Sequence, residues 1–193
     1  LDTFATYFEL GLRHIVDFDA FDHMLFILAL VCAYQMIDVF KILILITAFT
    51  VGHSLTLILA TTGLITVNGE WIEFLIPLTI LITAVGNLLR AKSSGKGRML
   101  WPYGLAVFFG LIHGMGFSNY LRMLLSGEGE MFVPLLAFNV GVEVGQVAIV
   151  IGILLLHALA FRVFRFKHRD YILVISGGAA GMALILMKAA AFW

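Results

Sequence analysis

The sequence predicts an all-α membrane protein, a polytopic bundle of six transmembrane helices preceded by a short half-helix. Three observations carry that reading. First, 62% of the 193 residues are hydrophobic and 12% are charged, against roughly 45–50% and about 25% in a soluble domain. A mean hydropathy of +1.05 leaves more apolar surface than a core of this size can hide, so lipid is the solvent. Second, the apolar residues fall in runs near the roughly 20 residues that cross about 30 Å of hydrocarbon. Third, Lys and Arg gather in alternate loops.

The elements follow in chain order. "TFATYFELGLRHIV" reads as a half-apolar helix too short to cross. Spans are expected over 20–37, 39–62, 71–89, 100–119, 131–161 and 170–190. The loop around Asp38 is very tight, and "TTGLITVNGE", "RAKSSGKGR", "LLSGEGE" and "FRFKHRD" punctuate the other breaks. The third loop carries Arg90, Lys92, Lys96 and Arg98, the fifth Arg162, Arg165, Lys167 and Arg169, and Lys41 falls at the first. The second carries Glu70 and the fourth Glu128 and Glu130, with no Lys or Arg read in either. The odd loops are therefore cytoplasmic and both termini lie outside the cytoplasm. Residues 1–193 form a single integral membrane domain.

Twelve basic and twelve acidic residues cancel, and no basic patch suggests nucleic acid. Membrane lipids are the expected surroundings, and a homo-oligomer is compatible with the composition. Cys32 is the sole cysteine, so no disulfide forms within the chain. Asp2 and Glu9 lie where a signal peptide would be cationic, and none is expected. "AFTVGHS" (48–54) echoes "AFNVGVE" (137–143), and "GLRH" (11–14) echoes "GLIH" (110–113). The first two lie in spans of opposite direction, which suggests an inverted repeat of three plus three spans. The "GLxH" pair does not match in depth.

An unpaired polar group in hydrocarbon costs several kcal/mol, so intramembrane ionisable residues are functional candidates. They are Asp22 and His23 at the start of span one, His53 in span two, His113 in span four, and Asn139 and Glu143 in span five. By helical rise, His53 lies ~14 Å, His113 ~9 Å and Asn139 with Glu143 ~12–18 Å from the outer surface. Asp22 and His23 are expected at the outer lip. The inner half shows almost no such residues. Asn139, Glu143 and Gln146 share one helix face, and Thr47, Thr50 and His53 form a stripe on span two. Gly110 and Gly114 allow a close helix approach.

His14 and His23 would point oppositely on one continuous helix. They serve one site only if the chain breaks at "DFDAFD", with Asp19 as N-cap and Asp22 in the first turn. Imidazole with carboxylate is a ligand set for zinc, nickel, cobalt or ferrous iron. His157 and His168 lie beside Arg and Lys and read as interfacial. Met115 reads as packing or lipid contact.

"GLRHIVDFDAFDHMLFILAL", "AFTVGHSLTL", "GLIHGMGFS" and "FNVGVEVGQ" together resemble the shorter branch of the bacterial HupE/UreJ family. The resemblance implies a nickel or cobalt permease of the bacterial inner membrane, with His14, Asp22 and His23 handling metal. The family signature places five residues between the histidine and Asp-His. Here seven separate His14 from Asp22.

Two functions follow. A divalent-metal permease would bind nickel, cobalt or zinc at His14, Asp22, His23, His53, His113 and Glu143, supported by Asn139, Gln146 and Thr50, and release it inward. An intramembrane zinc hydrolase would instead use Glu143 or Asp22 as base against a lipid or peptide, with Ser54 and Ser118 nearby. The inner half, without a second constellation, is the weak point of the permease.

Overall fold

The computed structural model describes residues 2–18, 21–66, 68–91, 101–125, 130–163, 165 and 167–191. Among them are seven α-helices and no strand: α1 (Thr3–Ile15), α2 (Asp22–Val31), α3 (Val39–Thr61), α4 (Gly69–Ala91), α5 (Trp101–Leu125), α6 (Phe132–Val163) and α7 (His168–Ala189). A 3-10 turn, Met36–Asp38, leads into α3. The long helices α3 to α7 are the five long and apolar enough to cross a membrane, with mean hydropathy from 1.2 to 2.3.

The expected first span differs. The apolar run continues over 20–37, but helix α2 has only 10 residues and rises about 15 Å, half a bilayer core. It ends at Cys32, after which the chain turns through Tyr34 into the 3-10 segment. The preceding helix α1 packs along α6. Asp2 caps its start by accepting from the Phe4 N–H at 3.1 Å. Its last turn carries Arg13 and His14, which suit the negative end of a helix.

Two helix pairs hold the fold at backbone contact. A Cβ on Gly11 of α1 would lie 2.0 Å from the Phe138 carbonyl of α6, and one on Gly141 would lie 2.1 Å from the Phe8 carbonyl. On α5, a Cβ on Gly110 would lie 2.1 Å from the Phe49 carbonyl of α3, and one on Gly52 2.1 Å from the Val107 carbonyl. Only glycine permits these approaches, which maximise dispersion contact where lipid offers no hydrophobic drive. The residues of "GLRH" and "AFNVG" thus meet as those of "GLIH" and "AFTVG" do. Gly11 on Phe138 corresponds to Gly110 on Phe49, and Gly141 on Phe8 to Gly52 on Val107. Both pairs are parallel, and they run in opposite directions. The depth mismatch expected for the "GLxH" echo disappears, because α1 descends half-way beside α6 and brings His14 to the level of the bundle centre.

The starts of α3 and α7 and the ends of α4 and α6 share one end of the bundle. It carries Lys41, Arg90, Arg162, Lys167 and Arg169, with Lys41 paired to Asp38 at 2.5 Å. The opposite, more acidic end carries Glu70, Glu73 and Glu130, together with Arg122 and Lys188. The interior is apolar: Ile15, Ile46, Leu57 and Phe138 pack in one cluster, Phe26, Phe49, Ile80 and Phe109 in another. Ile44, Val51, Leu155 and Ile185 face outward, as lipid-facing residues do.

Candidate metal centre

Four imidazoles meet in the middle of this bundle. His14 ends α1, His23 is in the first turn of α2, His53 lies within α3, and His113 is the central residue of α5. The ligand nitrogens of His14, His23 and His53 all lie within 4.8 Å of one another. His113 joins through His23, with ring centroids 5.1 Å apart, while His14 and His23 are 4.6 Å apart. The break between α1 and α2 brings these two rings together, as the spacing required. Asp19 lies outside the described residues. The N-cap of α2 is Phe21, without a side-chain hydrogen bond. His23 is 4% exposed, while the Asp22 side chain keeps 25% of its surface.

Hydrogen bonding sets which nitrogens are free. The Nδ1 of His23 lies 3.1 Å from Oδ1 of Asp22, an acceptor, so Nδ1 carries the proton and Nε2 keeps its lone pair. The Nε2 of His113 lies 3.0 Å from the Thr79 hydroxyl. That hydroxyl donates to the Ile76 carbonyl at 2.7 Å, so it accepts from His113 and leaves Nδ1 as the free acceptor. The free nitrogens match the buried ones without a partner: Nε2 of His14 and His23, Nδ1 of His113 and both nitrogens of His53. A buried polar atom left unsatisfied costs about 1–3 kcal/mol. Several in one place fit a cationic ligand, and an all-imidazole set beside a carboxylate suits a borderline divalent metal. Aromatic rings close the site: Phe117 stands 4.1 Å from His14, while Phe26 and Phe49 stand 5.0 and 5.1 Å from His113, centroid to centroid.

The family model of HupE/UreJ proteins matches residues 1–193, the whole chain. The chain belongs to the HupE/UreJ family. No curated protein and no solved structure matches it. The family and the five long helices together make it a multi-pass membrane protein.

In this HupE/UreJ protein the polar face of α6 turns onto α3 rather than onto the imidazoles. Ser54 donates to Oδ1 of Asn139 at 2.5 Å, and Thr47 donates to Oε1 of Glu143 at 2.6 Å. Thr50 bonds the other oxygen of Glu143 and lies 2.9 Å from Oε1 of Gln146. Glu143 therefore sits about one turn toward the basic end from His53, in a seam that ties α3 to α6. Ser118 donates to the Met115 carbonyl, and Met115 packs beside Ile72, Ile76 and Ile112.

His157, at the basic end, is 5% exposed, stacked 5.9 Å from His168, with Tyr171 at 4.6 Å and Phe161 at 4.3 Å. The basic half also holds polar contacts: Cys32 lies 3.4 Å from the Ser176 hydroxyl, and Asn87 donates to the Ala29 carbonyl at 2.6 Å. Asn87 and Ser176, like Thr79, escaped the sequence reading because they are single uncharged groups in apolar runs. "IPLTILIT", with Pro77 and two threonines, was the available signal for α4.

Proposed function

We propose that this protein is a permease for divalent transition-metal ions of the nickel, cobalt and zinc type. The cargo binds on His14, His23, His53 and His113, with Asp22 orienting His23 and Glu143 supplying a negative charge on the onward side. The observation that carries the reading is the convergence of unpartnered imidazole nitrogens in the middle of a helix bundle. The family's general association with nickel and cobalt transport supports it. Loop charge favours an outward acidic end with both termini outside the cytoplasm, and the family favours the bacterial inner membrane.

An inverted repeat accounts for the duplicated glycine contacts. With "AFTVGHS" laid on "AFNVGVE", Ser54 corresponds to Glu143 and Thr50 to Asn139. The Ser54–Asn139 and Thr50–Glu143 bonds then exchange under one pseudo-two-fold axis, and so do His14 and His113. A binding site near such an axis can be approached from either side as the halves rock, which alternating access requires. The break between α1 and α2 supplies a discontinuous helix at the same place.

The zinc hydrolase reading has less support. Its base must reach a metal-bound water, and both oxygens of Glu143 already accept or share protons with threonine hydroxyls. Asp22 is held on His23. The test is uptake into sealed vesicles containing a metal-sensitive dye. Wild type should give saturable entry of nickel, cobalt or zinc with mutual competition, and His53→Ala should abolish it. Bound metal without uptake, accompanied by metal-dependent hydrolysis of lipid or peptide, would overturn the permease.

A further inference from the structure

We infer that Asp22 and Glu73 form a capture site for a hydrated divalent cation, through which metal reaches the imidazole centre from the acidic end. The inference rests on the proposed metal centre and adds its way in. A groove of about 310 Å³ between the start of α4 and the end of α7 is lined by Asp22, Glu73, Pro77, Phe21, Ile76 and Leu186, with two alanines completing it. Among the described residues that line it, the charged side chains are the two carboxylates. Among the described residues, no Lys or Arg forms an ion pair with either.

Pro77 leaves a backbone oxygen of Glu73 without its helical hydrogen bond. It lies inside α4 and has no N–H to offer the carbonyl four residues back, which is that of Glu73. Two carboxylates and a backbone carbonyl are hard oxygen donors, suited to holding a divalent cation that keeps much of its water. Low-dielectric walls around like charges focus the field and raise the local cation concentration.

The inner end of the groove points to the destination. Asp22 keeps a quarter of its side chain exposed, at 25%, while its Oδ1 touches Nδ1 of His23 at 3.1 Å. Behind it, His23 is 4% exposed and its Nε2 has no partner. Asp22 therefore faces both the groove and the buried centre. An ion held loosely on oxygen moves onto nitrogen ligands by exchanging water for imidazole, with no change in redox state.

The experiment is stopped-flow binding of cobalt(II) alone to the full chain in detergent, read from the visible absorption of nitrogen-ligated cobalt. At low ionic strength Glu73→Gln should slow association about tenfold. Its amplitude at saturation should be unchanged, and its dependence on salt should flatten. Glu73→Asp should recover most of the rate. Glu70→Gln removes the same charge from the same end but outside the groove, and should associate as wild type does. Equal slowing by both glutamine variants, or an unslowed Glu73→Gln in protein whose wild type binds cobalt, overturns the capture site alone. Wild type that binds no cobalt overturns the metal centre, and the capture site with it.

Discussion

At the scale of the residue, protons prepare the centre. Asp22 and Thr79 each occupy one nitrogen of a histidine and so free the other toward the neighbouring rings. Such outer partners typically contribute 10–100-fold to metal affinity. Thr79→Val should therefore weaken cobalt or nickel binding about tenfold to a hundredfold, measured by equilibrium titration of the purified protein, without unfolding it. Thr79→Ser should restore binding. The ligands must be neutral to bind, so affinity should fall in acid, as protons compete for the imidazoles. His53→Ala and His113→Ala should lower the metal content of purified protein. His157→Ala and His168→Ala should leave it unchanged, because the two stack on each other at the basic end. Equal loss across all four variants would contradict a single centre.

At the scale of the element, glycine fixes the register of helices that hydropathy treats as interchangeable. Gly52 and Gly110 bring α3 and α5 together, and Gly11 and Gly141 do the same for α1 and α6. A methyl group about 2.1 Å from a carbonyl oxygen cannot be absorbed by rotating a side chain, so the helices must part. Gly52→Ala should destabilise the protein by roughly 1–3 kcal/mol and displace His53 from its neighbours. Gly177→Ala has open space around its Cβ and should be close to neutral. Thermal unfolding in detergent, with cobalt titration of the folded fraction, compares the two. Similar melting of both variants would show that the backbone contacts matter less than the geometry implies. The ten-residue α2 belongs to this scale as well. Its first turn buries His23, while the Asp22 side chain keeps 25% of its surface.

At the scale of the whole molecule, the two ends differ in charge, and the proposed orientation rests on that difference. In intact cells an impermeant thiol reagent should label Glu70→Cys, and should label Lys167→Cys only after the membrane is permeabilised. Native Cys32 is 0% exposed and should stay silent. Labelling of Lys167→Cys alone in intact cells would reverse the orientation and place the groove of Asp22 and Glu73 on the cytoplasmic side.

The sequence by itself determined the membrane class, the long helices α3 to α7 and the short helix beginning at Thr3. It also determined that His14 and His23 need a break to meet, and that Asn139, Glu143 and Gln146 share a face. These depend on properties summed along one helix: length, hydropathy and angular spacing. Only the tertiary structure decided that the first expected span is a ten-residue helix and that His23 is buried against three other imidazoles. It alone turned Glu143 toward Thr47 and Thr50, gave His113 its partner in Thr79 and put Glu73 in a groove with Asp22. Each of these depends on the rotation and axial offset of one helix against another. Those offsets are fixed by contacts between residues far apart in the chain, such as Gly11 on Phe138 and Gly52 on Val107, and hydropathy along a single helix carries no record of its partner.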